Sequence, residues 1–155
     1  MFFPTHPSGF VRDKAHRMPT LLTTEPVQLG ALALPGDLVI PDRPAGLVMF
    51  VHGSGSGRRS PRNRWVAGAF QHHHLATLLL DLLTEEESQD RRKVFDIELM
   101  AQRVVEAIHW VSHHPDLAGL PLGLFGASTG AAAALVAAAE RPSSVAAVVS
   151  RGGRP

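Results

Sequence analysis

A chain of 155 residues has the size of one domain, since compact domains commonly run to about 100–200 residues, and this argues against a two-domain protein. The formal charge of +1, with 19% charged and 45% hydrophobic residues, makes no field that would draw nucleic acid or an anionic membrane, so a small molecule is the expected partner. Cysteine is absent, which excludes disulfides, thiolate metal ligands and a thiol nucleophile together.

Residues 1–20 carry prolines, a glycine and mixed charges without apolar periodicity and read as a flexible leader, with Met18 as an alternative start. Pro4, His6 and Pro7 interrupt any secretory h-region after Met1-Phe2-Phe3, and nothing approaches the roughly 20 apolar residues that span a bilayer. The chain is expected in the cytoplasm, with its folded domain over residues 21–155.

Val27 and Leu29, residues 32–34 and residues 38–40 form short apolar runs around a Pro35-Gly36 turn signal and predict an antiparallel hairpin. Leu47-Val48-Met49-Phe50-Val51 is continuously apolar, as in strands covered on both faces, and runs into His52-Gly53-Ser54-Gly55-Ser56-Gly57. Residues 63–74 are compatible with a helix, residues 76–83 predict a second buried strand ending near Asp81, and Glu85-Glu86-Glu87 reads as an acidic loop. Asp96 is the expected N-cap of a helix with Glu98 in its first turn and one apolar stripe at Ile97, Met100, Val104, Ile108 and Val111, closed by His113-His114-Pro115. A strand over 120–125, an Ala-rich helix over 129–141 and a strand over 145–149 follow. This alternation predicts an α/β fold, a mostly parallel sheet with helices on both faces in three layers.

The chemistry concentrates at Gly126-Ala127-Ser128-Thr129-Gly130, a Gly-x-Ser-x-Gly run at a strand-to-helix junction. There a serine is lifted from the sheet onto a helix N-terminus, whose free N–H groups favour negative charge. Gly126 and Gly130 remove the side chains that would clash in so tight a turn. The loop holding Gly53 and Gly55 follows an earlier strand, so the Ser54 and Thr129 backbone N–H groups are the expected oxyanion donors. The same loop fails as a phosphate site: Arg58 stands where a Walker loop needs its second glycine, no lysine follows, and a dinucleotide fingerprint lacks its third glycine.

Arg58, Arg59, Arg62 and Arg64 form the concentrated basic patch, readable as an anion-binding rim or as a solvated loop. Without interleaved aromatics it does not predict nucleic-acid binding. His109 and His113, four residues apart, and the tract His72-His73-His74 do not specify a third ligand or an HExxH pattern, so no metal and no cofactor are expected.

With these residues in place, the chain resembles the dienelactone hydrolase-like members of the α/β-hydrolase superfamily. The carriers are residues 47–57, Ser60-Pro61-Arg62-Asn63-Arg64, residues 76–84 and residues 123–133, and the likeness runs from about residue 26 to the end. It is close to a bacterial subgroup sometimes named dienelactone hydrolases and sometimes fused to phosphoribosyltransferase domains. The resemblance implies Ser128 as nucleophile where the namesake enzymes carry cysteine. Ester or related acyl transfer on a small substrate is therefore the implied class, rather than lactone chemistry.

In this superfamily the acid and the histidine follow the nucleophile in the chain, yet after Ser128 there is no Asp and no His, and the single carboxylate is Glu140. The expectation is a sequence cut short before those residues, with three explanations in order: a fragment of a longer hydrolase, a second copy contributing residues in trans, or a catalytically inactive truncated module. The strand at 145–149 is then an open sheet edge through which a homodimer is expected to form. His52 and Asp81 are expected to organise their loops rather than to serve as substitute base and acid.

Overall fold

The computed structural model describes residues 22–152, so the expected leader at 1–20 lies outside the described residues. Six strands, β1 (Thr24–Leu29), β2 (Leu34–Val39), β3 (Gly46–Val51), β4 (Leu75–Leu80), β5 (Leu122–Ala127) and β6 (Ala147–Arg151), form one sheet in the order β1-β2-β4-β3-β5-β6. β4, β3, β5 and β6 are mutually parallel, and β2 is antiparallel to both β4 and β1. The helices are α1 (Pro61–His72), α2 (Glu85–Gln89), α3 (Arg91–Val94), α4 (Ile97–His113) and α5 (Thr129–Glu140).

The parallel strands read as continuous apolar runs because both their faces are covered. On one face α4 and α5 pack Met100, Val104, Ile108, Val111, Ala133 and Ala137 against Leu47, Met49, Val51, Leu78, Leu80 and Leu124. On the other, α1 lays Ala67 against Phe50, Leu79 and Phe125, with Phe70 completing a cluster whose ring centroids lie 5.1–6.1 Å apart. Each such buried Leu or Phe contributes about 1.5–3 kcal/mol relative to exposure. α4 follows its predicted stripe, and the Asp96 carboxylate accepts the Leu99 N–H at 2.9 Å as its N-cap.

Several local expectations need correction. The first hairpin turns at Gly30 (φ 66°) through Ala33 (φ 51°), whereas Pro35 and Gly36 sit inside β2 opposite Gln28 and Val27. Gly36 is needed there for space: a Cβ would stand 2.8 Å from Leu29 and 2.9 Å from Val27 side-chain carbons. Glu85-Glu86-Glu87 opens α2 instead of forming a loop, because Thr84 and Glu87 make a reciprocal capping box, at 3.1 Å and 3.0 Å. The Thr84 N–H is the main cause holding the Glu87 carboxyl below its ordinary value, with help from Lys93 and Arg103.

α1 begins at Pro61, earlier than predicted, since Ser60 caps it and Pro61 suits the first turn. β6 lies two residues beyond the predicted 145–149, because the chain leaving α5 first turns through Ser144, whose N–H reaches the Arg141 carbonyl at 3.0 Å, and Ala146 then joins Leu122 at 2.8 Å. Among the described residues, no helix is long and apolar enough to cross a membrane.

Candidate active site

Ser128 stands at the corner between β5 and α5 with φ 53° and ψ −122°, a left-handed conformation that costs a non-glycine residue energy and persists only where its surroundings impose it. The surroundings are backbone. A Cβ at Gly126 would stand 2.5 Å from Ala131 Cα and 2.8 Å from the Gly130 oxygen, while one at Gly130 would meet the carbonyl oxygens of Val51 and His52. Three main-chain segments therefore close on the turn, and the serine, with nowhere to go inward, is exposed. Its own N–H is held by the Arg151 carbonyl of β6 at 3.1 Å, so the edge strand helps to fix the corner.

The loop after β3 lies directly against this corner. A Cβ at Gly53 would come 2.6 Å from the Ala127 oxygen and 3.0 Å from Ser128 Cβ, so glycine is what lets the two turns touch. Gly55 takes the left-handed conformation within this loop, at φ 69°. His52 is buried, and its Nε2 accepts the Leu82 N–H at 2.9 Å. The ring proton therefore sits on Nδ1, which donates to the Gly53 carbonyl at 3.0 Å. Burial holds this imidazole below its ordinary value, overcoming the opposite pulls of the Gly53 carbonyl and Asp81. With both ring nitrogens engaged, His52 braces the loop and has none left to take a proton from Ser128.

Thr129 occupies the first position of α5, where an N–H has no intrahelical carbonyl to meet. The other expected donor is different. The Ser54 N–H donates to Thr129 Oγ1 at 2.9 Å, so this amide already has a partner and is not a free donor as the structure stands.

The basic patch also divides. The Arg58 N–H donates to Asp81 Oδ1 at 2.7 Å, its side-chain Nε lies 3.2 Å from Asp81 Oδ2, and its Nη1 lies 3.4 Å from Asp37. Arg64 reaches the same Asp37 at 3.3 Å. These two arginines pair with carboxylates on β2 and at the end of β4. Arg59 borders the cavity beside the loop, and Arg62 is exposed on the first turn of α1. The sequence carried no sign of this pairing, because Asp37 and Asp81 are close to Arg58 only after β2 and β4 pair.

The cavity, about 570 Å³, is lined by the loop from His52 to Arg59 together with Asp81, Thr84, Ser88, Val94 and Met100. The lining mixes hydroxyls and charged groups with the apolar side chains of Leu83, Val94 and Met100, as suits a small, partly polar molecule. His109 and His113 lie away from this constellation on exposed positions of α4; their rings are 4.3 Å apart, and His113 Nδ1 donates to the His109 carbonyl at 2.8 Å.

No family model matches the chain. Its relatives include a protein provisionally named a phosphoribosyl transferase from two strains of Mycobacterium tuberculosis, 54% identical over 136 residues, which make up 86% of this chain and 31% of the relative. Among solved structures, a dienelactone hydrolase from Anabaena variabilis superposes with a TM-score of 0.81 at 56% identity, covering 86% of this chain and 64% of that one. An α/β-hydrolase from a Penicillium species superposes at 0.72 with 22% identity, covering 85% and 46%, and shares the fold. The chain thus spans about a third of the length of the curated relatives it matches.

Proposed function

The chain belongs to the dienelactone hydrolase-like family of α/β-hydrolases, and on that premise we propose that it acts on a small ester or acyl substrate with Ser128 as nucleophile. The observation that carries the reading is the strained, exposed Ser128 at a corner enforced by Gly126 and Gly130 and touching the Gly53 loop. Strained backbone of this kind clusters at active sites. In the proposed reaction Ser128 Oγ gives its proton to a base and bonds to the acyl carbon while the C=O π pair moves onto the carbonyl oxygen between the Thr129 and Ser54 amides. Each such donor is worth about 3 kcal/mol of transition-state stabilisation. Collapse of that adduct breaks the bond to the leaving alcohol, which takes up the proton, and water then releases the acid from Ser128 by the same sequence. Gly53 and Gly55 shape the loop, the adjacent cavity receives the substrate, and of the four arginines Arg59 is the one placed at its border.

Serine needs a base to be an effective nucleophile. Among the described residues no basic side chain is hydrogen-bonded to the Ser128 hydroxyl, and His52 is engaged at both nitrogens. The reading therefore assigns this chain the nucleophile and the oxyanion donors, with the imidazole supplied from elsewhere. The cysteine-free composition is compatible with work in a reducing cytoplasm. The transferase name of the mycobacterial relatives is not carried over, since the match covers 31% of their length.

The test is covalent labelling by a fluorophosphonate, read as added mass on the peptide containing Ser128, with and without added imidazole. Label on the wild type and none on Ser128→Ala is expected. Folded wild-type protein that takes no label under either condition overturns the reading.

One observation favours a second role. β6 forms an edge of the sheet among the described residues, Val149 is 50% exposed, and the outer side of α5 beside it exposes Leu135 and Val136. An open apolar edge of this kind pairs readily with another strand, and a second copy of the chain is the proposed occupant. A concentration-dependent dimer in sedimentation, weakened by Val149→Lys, is expected; a strict monomer at all concentrations ends this role.

A further inference from the structure

The contact between the Ser54 N–H and the Thr129 hydroxyl, 2.9 Å long, joins residues 75 apart in sequence and occupies an amide proposed above as an oxyanion donor. We infer that the Thr129 hydroxyl is a place-holder: it occupies the Ser54 amide in the resting protein and yields it to an acceptor that carries negative charge. The inference rests on Ser128 being an acyl nucleophile, as proposed above.

The amide itself has no freedom to look elsewhere. Gly53 is wedged against the Ala127 carbonyl, and the buried His52 ring is fixed at both nitrogens. The Ser56 N–H closes on the Gly53 carbonyl at 3.2 Å, and the Arg58 N–H anchors the far end of the loop on Asp81 at 2.7 Å. A part-buried N–H held in one direction needs an acceptor in that direction, and the hydroxyl supplies it.

The threonine side chain is the movable partner. Threonine in a helix divides between two χ1 rotamers, and at the first helical position there is no preceding turn of the helix to hold it. Swinging the hydroxyl away therefore clears the amide without moving the main chain.

What displaces the hydroxyl follows from acceptor strength. A neutral carbonyl oxygen is no better an acceptor than the hydroxyl, so a substrate in its ground state gains nothing by the exchange. An oxygen that takes on charge as its carbon bonds to Ser128 forms a hydrogen bond roughly twice as strong. The Ser54 interaction is then realised mainly in the transition state, where it accelerates the reaction without tightening ground-state binding. Thr129 acts here as a positioning residue through its side chain, separately from its own main-chain amide.

Thr129→Val keeps the shape and removes the hydroxyl. Fluorophosphonate labelling of Ser128 should become about fivefold faster, the rate equivalent of one neutral hydrogen bond of about 1 kcal/mol that no longer has to be given up. Thr129→Ala should shift the rate in the same direction, and Thr129→Ser, which keeps the hydroxyl, should return it toward the wild-type value. In an amide NMR spectrum of the unlabelled protein, the Ser54 N–H should move upfield and exchange faster in the valine variant and recover in the serine variant. Labelling that is unchanged or slower in Thr129→Val while the wild type labels overturns the place-holder and leaves the serine hydrolase reading intact. A Ser54 amide that ignores Thr129→Val overturns it equally. Absence of label on the wild type removes the hydrolase reading, and the inference falls with it.

Discussion

At the β5–α5 corner a methyl group added to Gly130 would run into the carbonyl oxygens of Val51 and His52, whereas just past the neighbouring strand a methyl on Gly152 would meet no atom of the described residues within 4 Å, and only its left-handed φ of 65° would oppose it. Val149, between the two in sequence, is 50% exposed. The corner and the edge belong to the same sheet and are joined by the hydrogen bond from Ser128 to Arg151, yet they differ in what surrounds them. The corner is closed by main chain from β3, β5 and α5, which cannot move aside singly. The edge has neighbours on one side and α5 partly above it. Tolerance to change in space is therefore limited by the backbone segments that converge on a residue, and the proposed nucleophile stands at a corner where three of them meet.

The sharpest way to break this comparison is Gly130→Ala. Overpacking usually costs 1–3 kcal/mol and more where backbone must move, so a loss of about 3 kcal/mol or greater is expected in urea unfolding. Val149→Ala at the edge should change stability by less than about 0.5 kcal/mol. Similar losses at the two sites would show that the corner is not rigid.

Ser128→Gly sharpens the contrast between stability and function at the corner itself. Relief of the left-handed conformation is expected to raise stability by about 1 kcal/mol, while fluorophosphonate labelling is lost. A variant no more stable than the wild type would mean that the turn stores no strain.

A third test uses pH. Burial depresses the His52 pKa below its ordinary value of 6.5, so the unfolded chain binds the proton better than the folded one. Its contribution to stability is complete above the unfolded value and is lost as pH falls from there through the folded value. The melting temperature should decline on acidification from about pH 7.5 to about 5.5, and His52→Gln should flatten that decline. Parallel curves for the two proteins would dissociate the loop brace from stability.

The smallest effect has the opposite sign. Gly68 lies inside α1, where a Cβ would meet no atom within 4 Å. Gly68→Ala should stabilise by about 0.5–1 kcal/mol, the helix penalty of glycine without any crowding. Destabilisation there would remove the claim that open space and helical geometry suffice to predict tolerance.

Much of the fold was legible along the chain. β3, β4 and β5 announced themselves as apolar runs, α4 by its stripe and its Asp96 cap, and the corner by Gly126, Ser128 and Gly130 at a strand-to-helix junction. Some misses had a local signal: Thr84 and Glu87 stand at capping-box spacing, and Ser60-Pro61 is an N-cap followed by a first-turn proline. Pro35-Gly36 resembled a turn because composition cannot distinguish a tight turn from a strand position crowded by Leu29 and Val27.

By itself, the sequence determined the central strands and the long helices, since burial on one or two faces is written as periodicity, and at the β5–α5 corner it determined where a side chain had to be absent for the chain to turn. Tertiary structure alone decided the pairings that give the site its character. His52 meets Leu82, Arg58 meets Asp37 and Asp81, and Ser54 meets Thr129, across separations of 21 to 75 residues. A hydrogen bond or an ion pair depends on a few ångströms and an angle. Those are set by the order and register in which strands assemble, which no local pattern of residues encodes.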